Sequence, residues 1–184
     1  MRLAAEGWGT GFQTLIATLL SARSLDETTI KYSSVLFERY SDARSLSNAN
    51  ISDIEKIIRP INFYRNKSRN IIACSKQLVE NYKGIPPKDF DELVELRGVG
   101  RKTANVFLAV ENFDEIGVDT HVNYISHFLG WTNGRNQAEV EEDLKKLFPR
   151  RYWRSINYIL VKFGKTYTSR REKDEVLNKI RSFK

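Results

Sequence analysis

The feature that most constrains this chain is a pair of glycines, Gly98 and Gly100, set between two apolar segments. Apolar residues recur at helical spacing before the pair, over residues 93–96, and after it, over residues 104–110. Because glycine accepts a positive φ and lets another backbone come close, the pair predicts a tight turn. We therefore expect two helices joined by a short hairpin at about 93–110.

Three polar residues, Arg101, Lys102 and Thr103, occupy the first turn of the second predicted helix. A phosphate at this position would gain backbone N–H donors, the positive end of the helix dipole and cationic side chains. The sequence RGVGRKTAN matches neither a GxxxxGKT phosphate loop nor a GxGxxG dinucleotide motif. The remaining interpretations are a helix-hairpin-helix motif that binds the DNA backbone and a sharp turn without a ligand.

The longer stretch is more specific than its glycines. LRGVGRKTANVFL, followed by GVDTHV, resembles the hairpin and the aspartate loop of the endonuclease III family of DNA base-excision glycosylases, and the resemblance extends over roughly residues 11–165. It implies that Lys102 and Asp119 are the catalytic pair. Without the resemblance, Lys102 would be a phosphate contact and Asp119 the N-cap of a helix that begins at Thr120.

The resemblance also implies a mechanism. Lys102 would attack the sugar C1′ of a damaged nucleotide, release the base and form a Schiff base, after which β-elimination would cut the strand. This requires a partly neutral amine, which burial and the positive end of its helix would favour. Asp119 would stabilise positive charge on the sugar or help to activate the amine.

Two further segments match family positions that enter the DNA duplex. Arg23, in LLSARSLD, stands where the family commonly has glutamine, and Phe63, in INFYRNK, matches an apolar residue that wedges into the base stack. Arg65, Lys67 and Arg69 follow Phe63 and would anchor the DNA backbone, and Tyr64, next to Phe63, is a further candidate for contact with DNA. The alternatives are a solvated arginine at a helix end and an aromatic pair in the core.

Two smaller sites follow from the same resemblance. His121 matches a family histidine and would line the base pocket, or it would pack at the junction of the lobes. The backbone carbonyls of Val94, Leu96 and Val99 would hold a monovalent cation, Na⁺ or K⁺.

The composition agrees with a polyanionic partner. The chain has 184 residues, 30 Lys and Arg against 23 Asp and Glu, and a net charge of +7, and such a basic balance favours nucleic acid over an acidic protein. No apolar run approaches the roughly 18 residues of a membrane span, and the N-terminus does not resemble a signal peptide. We therefore expect an intracellular protein, cytoplasmic or nucleoid-associated, that acts as a monomer without a membrane partner.

The single cysteine, Cys74, lies in an apolar segment that predicts a buried role. Most members of the family end with four cysteines that bind an iron–sulfur cluster, and one cysteine cannot supply four thiolates. We expect no cluster and no other cofactor. The corresponding tail should pack instead as a helix through Val176, Leu177 and Ile180.

No segment has the pattern of a strand, so the predicted fold is all-α, and the resemblance implies two helical lobes. Residues 12–113 would form a six-helix barrel that carries the hairpin. Residues 1–11 together with 114–184 would form the second lobe, which carries Asp119. The cleft between the lobes would bind DNA and present both catalytic residues.

The expected function is a base-excision DNA glycosylase with AP lyase activity on double-stranded DNA that contains a damaged base or an abasic site. Oxidised pyrimidines such as thymine glycol are the first choice of lesion. Two alternatives stay open. One is a glycosylase of the same fold that acts on 8-oxoguanine, alkylated or mismatched bases, and the other is a noncatalytic DNA-binding module.

Overall fold

The computed structural model describes residues 2–111 and 115–182, except for the side chain of Arg154. Within these ranges every regular element is helical, which confirms the predicted all-α fold. The helices are α1 Gly11–Ser21, α2 Asp26–Arg39, α3 Ala43–Ser47, α4 Ile51–Ile58, α5 Tyr64–Tyr82, α6 Phe90–Val94, α7 Arg101–Val110, α8 Thr120–Phe128, α9 Gln137–Leu147, α10 Trp153–Thr166 and α11 Arg170–Arg181, with a 3-10 turn at Arg150–Tyr152. None of the described helices is long and apolar enough to cross a membrane.

The chain divides into two compact units, Met1–Glu111 and Asn112–Lys184. The predicted boundary between residues 113 and 114 lies outside the described residues. The division differs from the prediction at the N-terminus, because residues 2–11 belong to the first unit. There the Trp8 indole donates to the carbonyl of Ala4 at 2.7 Å, and its ring lies 5.0 Å from the ring of Phe37 on α2. Because Trp8 packs against Phe37 of α2, residues 2–11 are held to the first unit.

Helix α1 is the centre of the first unit. Its sequence, GFQTLIATLLS, is apolar on nearly every face, and Leu15, Ile16 and Leu20 are fully buried. Each such side chain contributes about 1.5–3 kcal/mol by leaving water. Thr10 begins the helix by accepting from the Gln13 N–H at 3.2 Å. Since α1 packs against α2, α5 and α7, it connects the loop at Arg23 with the hairpin.

The second unit is built on the packing of α8 against α10. Val122 and Ile125 are buried on α8, and Ile156 and Leu160 are buried on α10. The amide of Asn157 donates to the carbonyl of Gly117 at 2.6 Å and so fixes the segment that leads into α8.

The tail forms the predicted helix, α11, which begins with a capping box between Ser169 and Glu172. Leu177 is buried on this helix, whereas Ile180 is exposed. The Asp174 carboxylate accepts a hydrogen bond from the Tyr124 hydroxyl and thereby ties α11 to α8.

Candidate active site

The hairpin turn depends on Gly98. Its φ is +83°, and a Cβ at this position would lie 2.8 Å from the Cβ of Asn70 on α5. The turn is closed by the Val99 N–H, which donates to the Leu96 carbonyl at 3.0 Å. Glycine is therefore required at position 98 both by the backbone and by the close approach of α5.

Gln77 on α5 holds the same turn from the other side. Its amide donates to the carbonyl of Glu95 at 3.2 Å, and its side-chain oxygen accepts from the Arg97 N–H at 2.7 Å. Asn70 and Gln77 are seven residues apart, which places them on one face of α5. We did not predict this support from the sequence, although two amide side chains at this spacing indicate a polar face towards a backbone.

Gly100 has a different part in the site. It is the N-cap of α7 with φ −100°, and a Cβ at this position would meet no described atom within 4 Å. Neither the backbone nor the packing requires glycine here. The position leaves an open surface at the N-terminus of a helix, where an anion is favoured.

Three predicted site residues, Arg101, Lys102 and Thr103, lie in the first turn of α7, as expected. Lys102 is exposed, so the burial that we expected to favour its neutral form is not found. Arg101 is exposed as well, and its guanidinium carbon lies 4.7 Å from the centre of the Phe90 ring. Thr103 is half-buried.

The carbonyls of Val94, Leu96 and Val99 belong to the same turn. One of them, the Leu96 oxygen, already accepts the Val99 N–H, and its second lone pair can contact a cation. Binding of Na⁺ or K⁺ at this turn stays a prediction.

Arg23 and Phe63 lie side by side in the first unit. Both residues are exposed and have a left-handed backbone, with φ +56° and +60°. Such a backbone costs a residue other than glycine roughly 1–2 kcal/mol. The guanidinium carbon of Arg23 lies 5.8 Å from the centre of the Phe63 ring, and the Asn62 amide donates to the Arg23 carbonyl at 2.7 Å. The structure thus brings together the two residues that were predicted to enter the duplex.

Lys67, in contrast, does not present its ammonium to a ligand. The residue is 6 % exposed, and its Nζ donates to the carbonyls of Leu20 at 2.8 Å and Ala22 at 2.7 Å and to the Ser24 hydroxyl at 3.0 Å. Loss of hydration on burial lowers the pKa of Lys67 to about 8. The prediction that Lys67 anchors the DNA backbone is therefore wrong, because its ammonium group donates all three of its hydrogen bonds within the protein.

The other two residues of this segment remain available at the surface. Tyr64 is half-buried at the start of α5, and Arg65 is exposed, with its guanidinium carbon 5.4 Å from the centre of the Tyr64 ring.

Asp119 is the N-cap of α8. Its Oδ1 accepts from the N–H groups of His121 and Val122, both at 2.9 Å, and the side chain is nearly buried. A carboxylate at a helix N-terminus is stabilised by the helix dipole as well as by these hydrogen bonds. The capping role that the pattern alone suggested is therefore present, and it holds the carboxylate in a fixed orientation.

His121 packs against Gly164 of α10, where a Cβ would overlap its ring. It also lines a surface cavity of about 390 Å³ together with Thr120, Tyr124, Thr168, Arg170 and Lys173. The two basic side chains favour an anionic ligand in this cavity. That His121 contacts a base stays a prediction.

Cys74 is buried in α5, and burial raises the pKa of its thiol to about 12. A four-thiolate cluster does not fit a chain with one cysteine. Within residues 2–111 and 115–182 no three His, Cys, Asp or Glu side chains form a group that could hold a metal ion.

The fold and these motifs agree with the comparisons to known proteins. Residues 16–150 match the HhH-GPD superfamily of base excision DNA repair proteins. The chain belongs to this superfamily.

Several relatives of the chain are named endonuclease III. The chain is 45% identical to endonuclease III of Thermotoga maritima over 156 residues, which are 84% of this chain and 73% of the relative. It is 38% identical to endonuclease III of a Synechocystis species over 165 residues, 89% of this chain and 75% of the relative. Among solved structures it is similar to a trapped covalent intermediate of endonuclease III with DNA, with TM-score 0.84, 36% identity and coverage of 90% of this chain and 78% of the other.

Proposed function

We propose that this protein removes oxidised pyrimidines from double-stranded DNA, with Lys102 as the nucleophile and Asp119 as its electrostatic partner. The enzyme class, a base-excision DNA glycosylase and AP lyase, follows from the superfamily and from the relatives named endonuclease III. The lesion and the roles of individual residues are the parts that we add.

The observation that carries the proposal is the start of α7. Gly100 leaves open surface at the N-terminus of this helix, and Lys102 is exposed in its first turn. A helix N-terminus favours a DNA phosphate, and Lys102 lies in the same first turn. A similar solved structure is a trapped covalent intermediate of endonuclease III with DNA, which supports a nucleophilic side chain in this chain as well.

The reaction has two stages. The neutral Lys102 amine attacks C1′, the bond from C1′ to the base breaks, and the base leaves with a proton. The bond between C1′ and O4′ then breaks, O4′ takes the second proton of the amine, and a Schiff base forms between Nζ and C1′. Removal of a proton from C2′ allows the 3′ phosphate to leave, which cuts the strand.

Asp119 contributes a carboxylate of fixed orientation. Positive charge develops on the sugar as the base departs, and a carboxylate held by two backbone N–H groups stabilises that charge without having to reorient. It can also accept the proton that Lys102 must lose.

Arg23 and Phe63 would occupy the duplex beside the lesion. The damaged base must leave the stack to reach Lys102, and an aromatic ring with a guanidinium can fill the space that it leaves. Arg65 and Arg101 are exposed and would contact the DNA backbone.

Oxidised pyrimidines are preferred because the VDTH and LLSA segments resemble endonuclease III more than other members of the superfamily. Arg23, Phe63 and Arg97, where the family usually has proline, depart from it. We further propose that the protein acts as a monomer inside the cell.

Borohydride trapping tests the proposal. The protein is incubated with duplexes that contain thymine glycol, 8-oxoguanine, uracil opposite guanine or an abasic site, and borohydride reduces any Schiff base to a stable adduct. We expect the adduct on thymine glycol and abasic duplexes. Lys102→Gln should abolish it.

Lys56→Gln is the matched control, because it removes one exposed lysine of the same unit and should leave trapping unchanged. An adduct that persists in Lys102→Gln would refute the nucleophile. Faster trapping on 8-oxoguanine than on thymine glycol would refute the lesion class.

A further inference from the structure

We propose that Lys67 and Asn62 are positioning residues that hold Arg23 and Phe63 together as one rigid unit for entry into the duplex. The inference rests on the proposed function and adds a cause for the geometry of the two inserted side chains. The two loops involved, residues 22–25 and 61–63, are named the insertion loops here.

Lys67 is bonded to both insertion loops. Its backbone N–H donates to the carbonyl of Phe63 at 3.0 Å. Its ammonium donates to Ala22 at 2.7 Å and to Ser24 at 3.0 Å, the residues immediately before and after Arg23. The Lys67 side chain thereby bonds the Ala22 carbonyl before Arg23 and the Ser24 hydroxyl after it, and the first backbone hydrogen bond of α5 places Lys67 one helical turn from Phe63.

Asn62 closes the same arrangement from the surface. Its amide donates to the carbonyl of Arg23 at 2.7 Å across 39 positions of sequence. Two side chains, Asn62 from the other insertion loop and Lys67 from α5, therefore bond the Arg23 and Ala22 carbonyls and the Ser24 hydroxyl.

The backbone of the insertion loops requires such support. Arg23 and Phe63 have φ +56° and +60°, and a strained conformation of residues other than glycine persists only where neighbouring groups impose it. Phe63 is 57% exposed, so the strain does not serve to bury its ring. The strain presents the ring and the guanidinium side by side at the surface, 5.8 Å apart.

A simpler role for Lys67 is a helix C-cap, because the Leu20 carbonyl that it also contacts is near the end of α1. A C-cap alone would affect stability and would affect every substrate equally. A positioning role affects only substrates in which Arg23 and Phe63 have a base stack to enter. Single-stranded DNA lacks the paired strand, so the ratio of duplex to single-strand activity distinguishes the two roles.

The experiment compares the rate of borohydride trapping on one abasic strand, alone and in duplex, for wild type, Lys67→Met and Asn62→Ala. Methionine is similar in length to lysine but donates no hydrogen bond. We expect the duplex rate to fall about 10-fold or more in Lys67→Met, since misplacement of an inserted group by about 1 Å has effects of this size or greater. Asn62→Ala should show a smaller loss of about 3-fold, and both variants should keep the single-strand rate.

Lys76→Met is the matched control, because it removes an exposed lysine from the same helix and should change neither rate. The inference would be overturned if the trapping rate fell equally on duplex and single-stranded DNA, or if it fell in neither variant. If Lys67→Met does not fold, the rates of Asn62→Ala alone test the inference, because Asn62 is exposed and its replacement should not prevent folding.

A second measurement is independent of catalysis. The fluorescence of 2-aminopurine placed opposite an unreactive tetrahydrofuran site rises when the base is unstacked, and this rise should be weaker in both variants. A wild-type protein that forms no adduct on any DNA would refute the proposed function and leave the fluorescence to decide the positioning role. Unchanged fluorescence in both variants would refute positioning even where the catalytic proposal holds.

Discussion

Replacing each of the two hairpin glycines with alanine should affect a different property of the protein. Gly98→Ala should destabilise the first unit, whereas Gly100→Ala should leave its stability nearly unchanged and weaken DNA binding. The two substitutions add the same methyl group two residues apart. Any difference between them therefore reports on the surroundings of each position.

The magnitudes follow from the backbone and the contacts. At Gly98 alanine would hold a φ of +83°, which costs roughly 1–2 kcal/mol. Its Cβ would also lie 2.8 Å from the Asn70 Cβ, and overpacking of this kind costs roughly 1–3 kcal/mol. The expected loss is about 2–5 kcal/mol. At Gly100 a less suitable N-cap residue and a less flexible unfolded chain act in opposite directions, so the change should stay within about 1 kcal/mol.

Urea unfolding followed by circular dichroism at 222 nm measures the stability of each variant. Fluorescence anisotropy with a duplex that contains an unreactive abasic analogue measures binding. Gly100→Ala should bind about 10-fold more weakly, a loss of about 1.4 kcal/mol, because its methyl group occupies the surface that a phosphate would approach. A loss of stability below about 1 kcal/mol for Gly98→Ala, or equal losses for both variants, would refute this reasoning.

Three further substitutions or titrations have defined outcomes. Asp119→Asn should change the free energy of unfolding by less than about 0.5 kcal/mol, because asparagine is an equally good N-cap. The same variant should release little base in a glycosylase assay. Asp119→Ala should lose both stability and base release. Cys74 should react with thiol reagents at pH 8 only after unfolding, since its thiol is buried and burial raises its pKa to about 12; rapid labelling of the native protein would contradict its placement. Burial lowers the pKa of Lys67 to about 8, below the value of about 10.4 in an unfolded chain. Between about pH 8 and about pH 10.4 the unfolded chain therefore binds more protons than the folded protein. The free energy of unfolding of wild type, relative to that of Lys67→Met, should rise with pH by up to about 3 kcal/mol. Urea unfolding near pH 7.5 and pH 10 measures this rise.

Helical periodicity and capping residues predicted most of the fold. The pattern FQTLIATLLSA has the apolar spacing of the α1 helix, and Asp89, a residue type typical of N-caps, caps the helix that enters the hairpin. Asp26 is an equally typical capping residue, but Leu25 is the N-cap of α2, and the Asp26 carboxylate accepts from the Ala4 N–H at 3.4 Å. Which of two adjacent residues caps a helix depends on a tertiary contact that the local sequence does not contain.

Lys67 shows how composition can be misleading. Arg65, Lys67 and Arg69 alternate in the sequence and resemble a basic patch, but α5 turns only the two arginines outward. Helical spacing gave the opposite indication, because Lys67 lies four residues before Ile71 and on the same buried face. In this segment helical periodicity therefore indicates the environment of a side chain better than its residue type does. What the spacing could not show is the set of carbonyls that makes burial of an ammonium possible.

Positive φ is visible in a sequence only where glycine marks it. Gly98 was predicted for this reason, whereas neither arginine nor phenylalanine indicates the backbone found at Arg23 and Phe63. At Arg23 the Ser24 N–H donates to the Ser21 carbonyl at 3.0 Å and closes a turn with Arg23 as its third residue, and Lys67 and Asn62 bond the residues around this turn. Arg23→Gln should therefore leave stability within about 0.5 kcal/mol while changing the ratio of trapping rates among duplexes that differ only in the base opposite the abasic site. A large loss of stability in this variant would mean that the Arg23 side chain itself supports the loop, and that the left-handed backbone has a cause other than these hydrogen bonds.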